Sequence, residues 1–276
     1  MSRLRRRRVP DQNPPPTDET HDDGHGKRMT IFEHLEELRS RLFKAFSALI
    51  VGTIAGVILA EPVLKYLLEP YQAINPDEAQ RLLVLGPTGA VVAYFRVSLL
   101  LGAIIAVPVM TYQMMMFVIP GLTRKERRYI LVSLPAITGL FLIGVAFAWF
   151  GLMPPAITFL EGFQSEIFVA EWAAGEYLSF VTALLFWMGI SFEMPLVLFV
   201  LSLLGVVGPR PLIRQWRLAV VGAAVAAAFI TPTVDPVNMF LVMGPLLALY
   251  AISIVLVALG RRITTRGLRQ QQRSAS

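Results

Sequence analysis

The sequence predicts an all-α polytopic integral membrane protein, and three observations carry that prediction. Apolar side chains make up 55% of the 276 residues and charged ones only 16%, where a soluble domain carries roughly 25%. The mean hydropathy is +0.61. The charges are also segregated: of 44, the first 41 residues hold 17 and the last 16 hold 5. Long charge-free runs remain at 45–60, 97–123, 129–160, 218–234 and 236–260, and 177–209 is interrupted only by Glu193. A bilayer core of roughly 30 Å takes about 20 apolar helical residues, so these runs read as transmembrane helices.

Taken in order, residues 1–28 read as a disordered cytoplasmic tail. Arg3 and Arg5 to Arg8 form a basic block suited to anionic lipid, and the Pro-, Asp- and His-rich stretch after it has nothing apolar to bury. No apolar stretch follows those arginines before Leu42, so no cleaved signal peptide is expected. Residues 29–262 read as the membrane domain. It opens with a surface amphipathic helix: Thr30-Ile-Phe-Glu33 has capping-box spacing, and Ile31, Leu35, Leu38 and Leu42 share a helical face. Six spans follow, at about 42–60, 94–118, 130–153, 177–203, 217–231 and 237–259. The apolar part of the fifth, Leu218–Ile230, is 13 residues, or about 20 Å of rise, and is too short for an undeformed bilayer. Residues 263–276 read as a second cytoplasmic tail.

Basic residues set the orientation. With the N-terminus inside, 22 of the 25 Lys and Arg fall on cytoplasmic segments. The 154–176 loop on the other side carries Glu161, Glu166, Glu171 and Glu176 and no base. Both termini are therefore expected in the cytoplasm.

Composition also removes function classes. There is no cysteine, so thiol chemistry and Cys-ligated metals are absent. Of three histidines only His34 lies outside the tail; no metal or cofactor is expected. No Gly-x-x-x-x-Gly-Lys-Ser/Thr loop occurs, so the chain supplies no ATP site. The net charge of +6 follows the membrane topology rather than forming a nucleic-acid face.

Glu193, in Gly189-Ile-Ser-Phe-Glu-Met-Pro195, is a carboxylate inside a span and hence a functional candidate. The plainer reading is a protonated Glu bonded to a carbonyl that Pro195 leaves free. No Lys, Arg or His shares the span, so its expected partner is a backbone group, water or another chain. Two further acids fall on the cytoplasmic side: Glu126 in the loop Gly121-Leu-Thr-Arg-Lys-Glu-Arg-Arg128, and the Glu36-Glu37 pair ahead of Arg39 and Arg41. Each alone reads as a solvated charge. Together they put carboxylates on one surface, where each can take a guanidinium by a bidentate pair.

Four separated motifs occur in sequence: His34-Leu-Glu-Glu-Leu-Arg-Ser-Arg-Leu42, Phe117-Val-Ile-Pro-Gly-Leu122 running into Lys125-Glu-Arg-Arg128, Ser191-Phe-Glu-Met-Pro195, and Ile230-Thr-Pro-Thr-Val-Asp235-Pro. In order and spacing the chain resembles the TatC subunit of the twin-arginine protein translocase over about 29–262. The resemblance implies a cupped bundle with a concave face. It implies a non-enzymatic core subunit of the plasma membrane that receives Arg-Arg signal peptides. With TatB- and TatA-type single-span subunits it would form a multimeric complex moving folded proteins, driven by the proton-motive force. It places the first signal-binding Glu on Glu37, with Arg39 beside it and Glu36 able to share the role. The second falls on Glu126 and the preceding aromatic on Phe117. Glu193 becomes the intramembrane acid, Pro70 the proline of the first outer loop, and Asp235 the acid after the fifth span. The glutamine that often follows that acid has no counterpart in Asp235-Pro-Val-Asn-Met239. The rival reading is a small secondary transporter with Glu193 as its proton-coupling group, which would need a substrate site at the bilayer midplane.

Overall fold

The computed structural model describes residues 31–74, 82–118, 124–167, 172–203, 205–231 and 235–275. Thr30 of the expected capping box and the 1–28 tail lie outside them. Among the described residues eight α-helices form: α1 Ile31–Ile74, α2 Gly89–Val118, α3 Arg124–Phe147, α4 Met153–Gly162, α5 Ala174–Leu203, α6 Pro209–Arg214, α7 Trp216–Ile230 and α8 Pro236–Ala275. Five of the described helical stretches are long and apolar enough to span a bilayer, and α7 is a sixth, shorter apolar helix. This is the expected six-span, all-α architecture with a short fifth span.

Several boundaries differ from the sequence reading. The surface helix and first span are one 44-residue helix, α1, which runs on through Glu61, Pro62, Lys65 and Pro70. Pro70 is therefore inside a helix, not in a loop. Its extension is held by contacts distant in sequence: Tyr177 Oη donates to the Leu67 carbonyl at 2.7 Å and Trp149 Nε1 to Tyr66 Oη at 2.9 Å. Tyr71, Trp172 and Tyr177 pack as a ring cluster with centroids 5.7–5.8 Å apart. The third span is broken by a π turn at Ala148–Leu152, where Met153 N–H reaches back to the Ala148 carbonyl. Pro154 and Pro155 follow, and their missing N–H groups deprive that turn of regular helical donors. At the far end α8 continues through Ala275, so residues 263–275 of the second tail are helical.

α1 and α2 are antiparallel and touch backbone to backbone. A Cβ added at Gly52 would lie 2.4 Å from the Gly102 carbonyl oxygen, and one at Gly56 2.2 Å from that of Ser98. Only glycine permits that approach. α2 then packs on α3 and α5, α5 on α3 and α8, and α8 on α7. The spans thus follow one another as a wall, with α1 at one edge and α7 at the other. At the end of α5, Gly205 takes φ +77°. Gly205 N–H bonds the Ser202 carbonyl and Val206 N–H that of Leu201, each at 3.1 Å, a Schellman closure. Arg261 of α8 fastens this turn, donating to the carbonyls of Gly205 at 2.8 Å and Val207 at 3.1 Å.

Candidate functional site

Glu37 stands on the first turns of α1. Four residues on, on the same helical face, Arg41 pairs with its Oε1, with Nε donating at 2.9 Å and Nη2 bonding the same oxygen. Only 15% of the Glu37 side chain is exposed and 18% of the Arg41 side chain. The other carboxylate oxygen, Oε2, is buried and has no hydrogen-bond partner among the described residues. Glu36 and Arg39 point outward and are exposed. The two adjacent acids are thereby told apart: Glu37 faces the protein and Glu36 does not. Arg41, not Arg39, is the base that orients Glu37. The i, i+4 spacing was the sequence signal for it.

Phe117 is half-buried near the end of α2. Gly52 lies against Gly102 and Gly56 against Ser98; continuing that register residue for residue brings Glu37 level with Phe117. α3 begins at Arg124, so Glu126 stands on its first turn at the same end of the bundle. The backbone of Glu126 is described and its side chain is not. Residues 124–128 are thus helical and not the loop that their charge suggested. Thr123-Arg-Lys-Glu126 has capping-box spacing, a signal for a helix start here.

Glu193 is half-buried on α5. Its partner is the hydroxyl of Thr111 on α2, itself buried. The expectation of a backbone, water or foreign partner is corrected: the neighbouring span supplies a side chain. Six residues of α2 separate Thr111 from Phe117, about 9 Å of rise. Asp235 has a local structural task. Its Oδ1 accepts from Asn238 N–H at 2.7 Å and its Oδ2 from Asn238 Nδ2 at 3.1 Å, capping the start of α8. Among the described residues no three His, Cys, Asp or Glu side chains group to hold a metal.

A family model described as Sec-independent protein translocase protein (TatC) matches residues 33–245. The chain belongs to the TatC family. A TatC from Synechocystis is 33% identical over 233 residues, covering 84% of this chain and 88% of the relative. One from Xylanimonas cellulosilytica is 38% identical over 231 residues, covering 82% and 83%. A chloroplast TATC from Arabidopsis thaliana is 36% identical over 224 residues, covering 81% of this chain and 65% of the longer plant protein. A crystal structure described as the twin arginine translocase receptor TatC superposes with a TM-score of 0.75 at 36% identity, over 82% of this chain and 99% of the other. A second, in DDM, gives 0.75 at 37% identity, over 81% and 98%. The TatC match takes in Glu37, Phe117, Glu126, Glu193 and Asp235. It makes the chain a membrane-embedded component of a protein translocase, which is not an enzyme class.

Proposed function

We propose that this chain is the signal-peptide receptor of a twin-arginine translocase. It recognises consecutive arginines through Glu37 and Glu126 on the cytoplasmic face of the plasma membrane, with both termini on that face. The observation that carries the reading is the state of Glu37. Arg41 holds one oxygen, and the other is buried with no hydrogen-bond partner among the described residues, as a slot for one more guanidinium would be. An exposed ion pair contributes only about 0–1 kcal/mol; a half-buried carboxylate with one oxygen already fixed presents its second in a set orientation. Phe117 supplies an apolar surface at the same level, and Glu126 a second acid. Glu193 with Thr111 offers a polar contact farther into the bilayer to an inserting signal or to the single span of a TatA- or TatB-type subunit. Energy comes from the proton-motive force, since the chain carries no nucleotide loop.

The test is photocrosslinking in membranes with a peptide bearing an Arg-Arg signal and a Lys-Lys version. The Arg-Arg peptide should label this chain strongly and the Lys-Lys peptide weakly, because an ammonium lacks the planar fork. Glu37→Gln keeps the shape but loses the charge, and should cut labelling by about tenfold, the size of one charge-assisted bond. Equal labelling by both peptides, or full labelling of the Glu37→Gln, Glu126→Gln double variant, would overturn the assignment.

A further inference from the structure

Two cavities meet at the end of the bundle opposite Glu37. The larger, about 630 Å³, opens where α2 and α5 begin, and Gly86, Gly89, Arg96, Gly175, Glu176 and Ser179 are among its walls. The smaller, about 320 Å³, runs between α2 and α5 past Leu99, Ala103, Ala183 and Phe186, with Leu49 of α1 beside them. Arg96 and Ser179 line both, so the two spaces join at these residues.

The charges around the joint are opposite and, among the described residues, unpaired. Arg96 spends one donor on the Gly175 carbonyl at 3.2 Å, out of the five that a guanidinium carries. Neither Arg96 nor Glu176 belongs to the ion pairs seen among the described residues, Glu37 with Arg41 and Glu61 with Lys65 among them, so the two do not neutralise each other. Both are exposed to the larger cavity. An acid on the first turn of α5 has an ordinary role beside the helix dipole. That role does not account for a cation left open across the same cavity. Arg96 lies seven residues into α2, about 10 Å of rise, the depth at which a long basic side chain reaches lipid phosphate.

We infer that the joined cavities hold one membrane phospholipid whose headgroup carries both a phosphate and a primary ammonium, a phosphatidylethanolamine. Its phosphate accepts from Arg96, its ammonium donates to Glu176, and one acyl chain lies in the apolar groove between α2 and α5. An anionic headgroup would satisfy Arg96 but meet the Glu176 carboxylate. A phosphatidylcholine has the right charges, but its quaternary ammonium has no hydrogen to donate. Inside a bilayer the chain is already in hydrocarbon, so the groove supplies fit and the charged rim supplies the selection.

Native mass spectrometry of the full-length protein, loaded separately with dioleoyl phosphatidylethanolamine, phosphatidylcholine and phosphatidylglycerol, tests this. Phosphatidylethanolamine should be retained about tenfold over phosphatidylcholine, the scale of one charged hydrogen bond, and over phosphatidylglycerol as well. Glu176→Gln should abolish most of the preference over phosphatidylcholine, because phosphatidylethanolamine loses a charge-assisted hydrogen bond where phosphatidylcholine loses only a Coulombic contact. Ala183→Phe fills the groove and should lower retention of both lipids without changing their ratio. Glycerophosphoethanolamine, the headgroup without chains, should fail to displace the lipid at equal concentration. Equal retention of the three lipids, higher retention of phosphatidylglycerol, an unchanged preference in Glu176→Gln, or displacement by the chainless headgroup would overturn the proposal. Arg96→Lys keeps the charge and loses the fork. It gives the cation arm a second variant if Arg96→Gln does not stay monodisperse, and a retention equal to wild type in both would also overturn it.

Discussion

Glu193 shows what a single polar pair inside a span can do. Thr111 donates to its carboxyl from the next helix, so the acid has a side-chain neighbour on the adjoining span. Hydrogen bonds of this kind between spans contribute about 0.6–2 kcal/mol. If the acid serves contact with an inserting signal or a partner span, Glu193→Gln should retain most transport, since an amide still bonds Thr111. Glu193→Ala should lose roughly three- to tenfold in transport or partner crosslinking while inserting normally. A Gln variant as inactive as Ala would instead make the acid a proton carrier. Thr111→Val, which removes the donor and keeps the shape, should lower transport less than Glu193→Ala does. The sequence displayed Glu193 clearly, because one charge in 33 residues stands out. Thr111 was hidden, because a hydroxyl in an apolar run is common and usually bonds its own helix, as Thr182 and Ser253 do here. Glu37 and Glu36 were likewise indistinguishable until the helix face was known.

At the scale of elements, the α1–α2 contact rests on glycines. A Cβ at Gly56 would come within 2.2 Å of a backbone oxygen that cannot swing away, so the helices must separate. Gly56→Leu should therefore destabilise the protein by about 2 kcal/mol or more, read as a lower denaturation midpoint in detergent. Gly222, whose added Cβ meets nothing within 4 Å, should tolerate Leu nearly unchanged. The element the sequence reading cut short is α1. Glu61, Lys65, Glu69 and two prolines look like a loop, yet Glu61 and Lys65 pair at 2.8 Å along one face. The aromatic contacts from Trp149 and Tyr177 fix the rest. Tertiary packing overrode local composition there. The long spans were legible because hydropathy is a property of each segment alone, whereas the π turn before Pro154 depends on where the two missing N–H groups fall.

For the whole molecule, segregation of charge carried most of what could be read. Lys and Arg gather on four segments and Glu on the 154–176 loop, so both termini are expected on one side. A phosphatase or fluorescent-protein reporter fused after Ser276 should report the cytoplasm, and an external signal would remove the topology. What composition did not contain is which span sits beside which. Among the described residues the packing order runs α1, α2, then α3 with α5, then α8, then α7, with α4 touching both α1 and α8, and α1 and α7 are not packed against each other. An open wall encloses no lumen. Where α4 bridges α1 and α8, one packed apolar core from α1, α2, α4, α5, α7 and α8 fills the space between them, so ions and folded domains have no path through a single copy. The purified chain in a planar bilayer should accordingly show no conductance above the bare lipid, and steady current would require the two edges to have met. Any aqueous path must be bounded on its missing side by other polypeptides or by lipid. The barrier to leakage between transport events is then the ordinary bilayer, and this subunit needs no gate of its own.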